Sequence, residues 1–364
     1  MSIFKAITWV IISSACLLNG CSKDEPKILS NASLVTIAGN PTQGSVDGQG
    51  TSAKFMNPYG ITLDANGNIY VADAGDHKIR KITPDGVVTT VAGSTEGYND
   101  GVGTAAKFDV PIDIVMDSKG NLFVADKLNY CIRKITPNGT VSRFAGGIGA
   151  SSHLDGLGTS ARFELPEFMT IDKADNIYLV DNSRNLRLIK PDGTVSSLTT
   201  LSNNPGFLDG PIGAARFYQM QSLTVDPGGN LFITDFQEPH SMVRVLKTDG
   251  MVSTVGGSDV LYVDGPLTSA RFQGLRGIAV DNNGNIYLSE IGKESTNSAF
   301  SLSRMRLISA DAKVSTLIAG PFGNVDGNAS VARFFGGTDM IMAPDGNIYF
   351  TDGANHSVRK LIVK

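Results

Sequence analysis

Four histidines, three cysteines and 35 carboxylates are the side chains with which this 364-residue chain could do chemistry. A catalytic zinc needs three converging ligands beside an open position. His77, His153, His240 and His356 are instead scattered far apart along the chain. No Gly-x-Ser-x-Gly, His-Glu-x-x-His or phosphate-loop spacing occurs. Asp281-Asn282-Asn283-Gly284-Asn285 resembles a calcium loop, but its glycine is misplaced and the acid at the twelfth position is missing, so it reads as a turn. The other acids recur. Asp73, Asp126, Asp181, Asp235, Glu290 and Asp352 occupy one repeated position, and a Lys or Arg follows Ala at another, from Lys54 to Arg333. A residue present in every copy of a repeat serves every copy, so these are expected to be ion pairs between repeats or turn caps. Chemistry aimed at one ligand should break the repeat.

The repeat itself is carried by Asp-Gly pairs beginning at Asp47, Asp100, Asp155, Asp209, Asp264 and Asp326, spaced 53, 55, 54, 55 and 62 residues apart. Each is followed by an Ala-basic-Phe element, ending at Phe55, Phe108, Phe163, Phe217, Phe272 and Phe334, read as wedges between repeats. Four apolar or alternating runs separated by Gly, Asn, Asp and Pro turns fill each copy; in the first they are 61–64, 68–72, 78–82 and 87–92. Four antiparallel strands repeated six times predict an all-β, six-bladed β-propeller. The sixth copy stops after its third strand, while an unattached Leu34-Val35-Thr36-Ile37-Ala38-Gly39 precedes the first. The N-terminal strand is therefore expected to complete the last blade and close the ring.

Two places in this frame break the pattern. Just after each Phe, at the entry to the innermost strand, stand Tyr59, Asp113, Glu167, Gln221, Arg276 and Asp339, expected at one mouth of the central channel. The turns between the second and third strands should open on the same face. There blade 5 inserts 292–300, ending in Phe300, and blade 4 carries Phe236 and His240. Tyr98, His153, Phe207 and Tyr262 precede the Asp-Gly pairs, with Ser45 and Asn324 in the other blades. They are a partial aromatic platform or loop packing. Long loops on a rigid scaffold are where binding usually sits.

Asn68-Ile69-Tyr70-Val71-Ala72-Asp73 followed by His77-Lys78-Ile79-Arg80-Lys81-Ile82 resembles the NHL repeat, and Asn355-His356-Ser357-Val358-Arg359-Lys360 matches it best. The resemblance covers about residues 33–364 and places His77 and His356 as packed turn histidines. Six-bladed relatives include gluconolactonase-type lactonases and alpha-amidating lyases, which hold a metal at the channel mouth. By that resemblance calcium or zinc would belong to a hydrolase or lyase here, with Asp113, Glu167 and Asp339 the candidate ligands. Without a shared motif, the reading favours no cofactor, no enzyme, and a binding module for a protein or glycan.

Residues 1–20 carry Lys5 and then an apolar run ending in Leu18-Asn19-Gly20-Cys21, which resembles a lipoprotein signal peptide. The resemblance implies lipidation of Cys21. Ser22-Lys23-Asp24-Glu25 is similar to the export signal of Bacteroidota surface lipoproteins, implying an outer membrane location exposed at the cell surface. Residues 21–32 form the tether and 33–364 the propeller. Cys131 then stands alone, a small apolar filler at a strand start. A net charge of −4 without a basic run argues against nucleic acid. A monomer anchored through lipid is expected. Glycine, at 41 residues, reports turns, and the 41% hydrophobic content supplies a core.

Overall fold

A computed structural model describes residues 31–149, 151–199, 205–259, 262–293 and 299–363. Cys21, the signal segment and most of the tether lie outside the described residues. Six antiparallel sheets are arranged as a six-bladed propeller, with no α-helix among the described residues. In blade 1 the strands, from the axis outward, are Pro58–Leu63, Ile69–Asp73, Lys78–Ile82 and Val87–Gly93. The inner strand begins three residues before the sequence expectation, because Pro58 already pairs with Asp73.

Each blade also has a fifth strand that the pattern did not suggest. Two residues beginning at the Gly of each Asp-Gly pair, such as Gly48–Gln49, join the outer edge of the fourth strand. The preceding carboxylate completes the edge: Asp47 accepts the Thr90 N–H at 3.1 Å, and Asp209 that of Thr254 at 2.9 Å. Strand edges left open pair with other chains, and this short cover blunts them.

The ring closes as expected. Ala32–Gly39 lies antiparallel to Ser357–Val363, with Leu34 opposite Leu361, so the last blade is completed from the N-terminal end. Gly327–Asn328 then pairs with it as the fifth strand. Asp326 accepts the Thr36 N–H and hydroxyl, both at 2.9 Å, as its counterparts do elsewhere. Gly39 takes φ +86, and a Cβ there would lie 2.3 Å from the His356 carbonyl oxygen; Gly93 is in the same position against His77. Only glycine combines that conformation with that approach.

The core is divided among the blade interfaces. Phe55 packs with Ala38 and Val358 of blade 6 and with Ile61 and Val71 of blade 1. Phe108 bridges blades 1 and 2 in the same way, and Phe272 bridges blades 4 and 5. Cys131 is buried as the first residue of its strand. Blades 4 and 5 depart from the rest. Their second and third strands run Leu231–Gln237 with His240–Leu246, and Ile286–Lys293 with Phe300–Ser309. These longer hairpins extend the second–third turn on the mouth face.

Candidate functional site

The residues that break the repeat lie where the inner-strand ladders are broken. In blades 1 to 5 the register shifts at the start of the inner strand: between Pro58 and Ile61, Pro111 and Asp113, Pro166 and Met169, Met220 and Ser222, and Leu275 and Ile278. Tyr59, Glu167, Gln221 and Arg276 sit inside these irregularities. A bulge frees residues from the ladder and re-aims their side chains. The hydroxyls of Thr234 and Thr351 fix two such segments from the preceding blade, and Ser289 does the same for the start of blade 6. Thr234 donates to the Arg276 carbonyl at 2.7 Å, Ser289 to that of Gly337 at 2.6 Å, and Thr351 to that of Tyr59. Blades 1 to 3 carry Ala72, Ala125 and Val180 at that position and lack this stitch.

The six mouth candidates do not form a single ring. Asp113 and Asp339 stand one residue further along the chain from their Phe than the other four do, and are tied to backbone. Asp113 accepts the N–H groups of Met169 at 2.6 Å and Ile114 at 2.7 Å, while Asp339 accepts those of Ile61 at 3.0 Å and Met340 at 2.9 Å. Their carboxyls hydrogen-bond each other beside Gly60, where a Cβ would lie 2.2 Å from Asp113 Oδ1. Burial raises Asp113 well above the carboxylate range and takes Asp339 to about 7, so the pair holds a proton near neutrality.

Nearer the mouth are the other four. Glu167 is spent on Lys127 Nζ at 2.8 Å and Ser183 Oγ at 2.7 Å. Gln221 Oε1 accepts from Arg276 Nη1 at 2.7 Å, and the Arg276 guanidinium lies over Phe236, 5.9 Å from its centroid. Tyr59 reaches Phe168, with ring centroids 6.1 Å apart, and packs with apolar residues of blades 2, 3 and 4. Burial raises its hydroxyl above the ordinary tyrosine value, against the pull of the Arg276 charge.

On the loop face Phe236 packs edge-on to Phe300 at 6.3 Å, joining the extended hairpins of blades 4 and 5. Lys293 ties them again through Glu238 and lies over Phe300. Phe207, Tyr218 and His240 cluster at 4.7–5.5 Å. Residues 294–298 lie outside the described residues.

Tyr98, His153, Phe207 and Tyr262 are not one platform. Each covers the arginine of its own blade: Tyr98 over Arg133 at 4.4 Å, Phe207 over Arg244 at 5.9 Å, Tyr262 over Arg306 at 5.2 Å, and His153 beside Arg187 at 3.4 Å. Asn324 accepts from Arg359 at 2.9 Å in the same role. These arginines were the residues missed in the sequence. Arg80, Arg133, Arg187, Arg244, Arg306 and Arg359 are fully buried, one per blade. In blade 2, Arg133 binds the buried Asp126 at 3.0 Å and the Asp-Gly acid Asp100 at 2.6 Å, and lies over Phe108. The repeated acids therefore pair within their own blade, not between blades, and with the third-strand arginine instead of the basic residue after Ala. The signal was available: in blades 1, 2 and 6 the arginine follows the acid by seven residues. His77 and His356 are turn residues in the left-handed region, and their Nδ1 atoms accept the Val110 and Asn57 N–H groups of the next blade.

The opposite end of the axis, unmarked by the sequence, holds a cavity of about 560 Å³. Its floor is Ile171, Val225, Val280 and Met342, and its rim is the first–second turns of blades 3 to 6. The rim polar groups are engaged with one another: Asp172 with Asn176 at 2.9 Å, Asp226 with Asn230 at 2.9 Å, and Lys173 with the Pro227 carbonyl at 3.1 Å. Among the described residues, no group of three or more His, Cys, Asp or Glu gathers to hold a metal. At the mouth, Glu167 is already ion-paired with Lys127 at 2.8 Å.

Residues 39–99 match the family model of the teneurin NHL domain. Teneurin-4 of Mus musculus is 23% identical over 373 residues, covering 91% of this chain and 13% of that protein. The chain spans only 9–13% of the length of the first curated relatives it matches. An auxiliary nutrient binding protein from Bacteroides ovatus superposes with TM-score 0.63 at 15% identity, covering 92% of this chain and 78% of that one. A gluconolactonase from Xanthomonas campestris superposes with TM-score 0.55 at 11% identity, covering 93% and 91%. At these identities the likeness is one of fold.

Proposed function

We propose, from the premise that this chain is an NHL-repeat six-bladed β-propeller, that it is a non-catalytic binding module whose ligand enters at the mouth ringed by Tyr59, Glu167, Gln221 and Arg276. One observation carries the reading: the six-fold repeat fails at these inner-strand entries and in the adjoining hairpins of blades 4 and 5, all on one face. A ligand on the axis has no six-fold symmetry, so a surface that binds one must lose it. The nutrient-binding neighbour from Bacteroides ovatus supports the same direction by fold alone. The ligand is a glycan or protein segment presented from outside the cell. Cys21 would hold the propeller to the outer membrane through its lipid. Replacing Cys21 with Ala should release the protein to the soluble fraction and abolish fatty-acid labelling.

The binding claim is tested by probing the purified protein against a glycan and peptide array, with Phe300→Ala as the comparison. Retained ligands that depend on Phe300 support it; no retained ligand from either class overturns it. The gluconolactonase-like neighbour leaves a second reading, hydrolysis assisted by calcium or zinc. It requires one tightly held metal ion per chain by elemental analysis, lost on Asp113→Asn or Glu167→Gln.

A further inference from the structure

Among the described residues Arg276 has no carboxylate partner. Its one hydrogen-bonded partner among them is the neutral Gln221, and the ion pairs around it are closed on themselves: Lys127 with Glu167 and Lys293 with Glu238. The six arginines deeper in the blades each pair with at least two carboxylates, as Arg133 does. A guanidinium carries five N–H donors in a planar fork that matches a carboxylate. Gln221 takes one at Nη1, and Phe236 backs the group. Tyr59 stands in the matching register shift of blade 1, with its ring against Phe168. Its phenolic hydroxyl is a donor at neutral pH. Two donors thus stand among the mouth residues, and among the described residues neither is hydrogen-bonded to an acid.

From this geometry we propose that the mouth is a receptor for a carboxylate carried on a sugar ring, a uronate, with Arg276 and Tyr59 holding the carboxylate. The inference rests on the binding reading above and names its ligand class. The body of the ligand is a hydroxylated ring because Lys127, Glu167 and Gln221 keep both donor and acceptor capacity beyond the bonds they make to one another and to Ser183 and Arg276, as sugar hydroxyls require. Phe236 and Phe300 supply the apolar wall against which such a ring stacks.

The test is titration of the full-length protein with D-glucuronate, digalacturonate, D-glucose, inorganic phosphate and N-acetylglycine, followed by saturation-transfer NMR and calorimetry. The expected result is that the uronates bind roughly tenfold or more tightly than glucose and phosphate. N-acetylglycine, a carboxylate without a ring, should bind more weakly than either uronate. Arg276→Gln should remove the preference for uronate over glucose at an unchanged melting temperature, Arg276→Lys should restore part of it, and Tyr59→Phe should weaken uronate binding alone. Glucose binding as well as glucuronate, or a uronate preference that survives Arg276→Gln, overturns the proposal while leaving a binding module. Phosphate binding more tightly than uronate overturns it as well. No binding of any sugar overturns the proposal, and the peptide arm of the array then decides the binding reading separately.

Discussion

The buried arginines show how a single residue type can organise a blade. Arg133 spends Nη1 on Asp126 and the Lys107 carbonyl, and Nη2 on Asp100 and the Asn99 carbonyl, so one side chain fastens the second strand, third strand and edge. Its Nε is left unbonded and the ring of Phe108 lies beneath the guanidinium. Arg133→Met should destabilise the protein by about 3–5 kcal/mol in urea, because Asp126 would remain buried and unpaired. Lys107→Met, at the position the sequence first singled out, should stay within roughly 0.5 kcal/mol. The Asp113–Asp339 pair predicts a pH effect of definite sign. Both pKa values are raised on folding, so their contribution is fully present below the ordinary carboxylate pKa and is lost as pH rises toward about 7, where Asp339 titrates. The urea midpoint of the native protein should therefore fall more steeply from pH 4 to 7 than that of Asp339→Asn; parallel curves would refute the shared proton. The residue types at these sites were legible in the sequence. Their partners were not, because a carboxylate on an inner strand meets its neighbour only when the ring brings blades 2 and 6 to the two sides of Gly60.

Strands and turns were the most legible level, since alternation and Asp-Gly or Asn-Gly punctuation act locally. What alternation cannot encode is a bulge, which preserves composition while changing direction. Tyr59, Glu167, Gln221 and Arg276 owe their positions to register shifts that appear only once the strands pair. The stitch from Thr234 to the Arg276 carbonyl then makes that segment a positioning device reaching in from the preceding blade. Thr234→Val keeps the volume and removes the hydroxyl. It should weaken uronate binding several-fold with Arg276 itself intact, and Thr234→Ser should restore it; equal affinity in all three would show that the bulge holds without the stitch.

For the whole molecule, closure is the event on which stability turns. Leu34 is fully buried between the last blade and its neighbour, among Ile318, Phe334 and Leu361. Leu34→Ala should cost about 2–5 kcal/mol, the range for truncating a buried leucine, and deleting residues 31–40 should sharply lower the melting temperature. An unchanged melt would mean that the ring does not depend on its closing strand. The sequence by itself determined six blades, the closing strand and the face on which repetition fails, because turns, alternation and wedge residues repeat at fixed intervals and each is a local demand of the backbone. Only the tertiary structure decided which of the pattern-breaking residues meet. It tied Tyr98, His153, Phe207 and Tyr262 to the arginines of separate blades, drew Asp113 and Asp339 together, and gave Arg276 the neutral Gln221 as its hydrogen-bonded partner among the described residues. The reason is physical: contacts across the axis join residues from different blades, more than a hundred positions apart for Tyr59 and Phe168, and no local pattern records which side chains a closed ring will bring face to face.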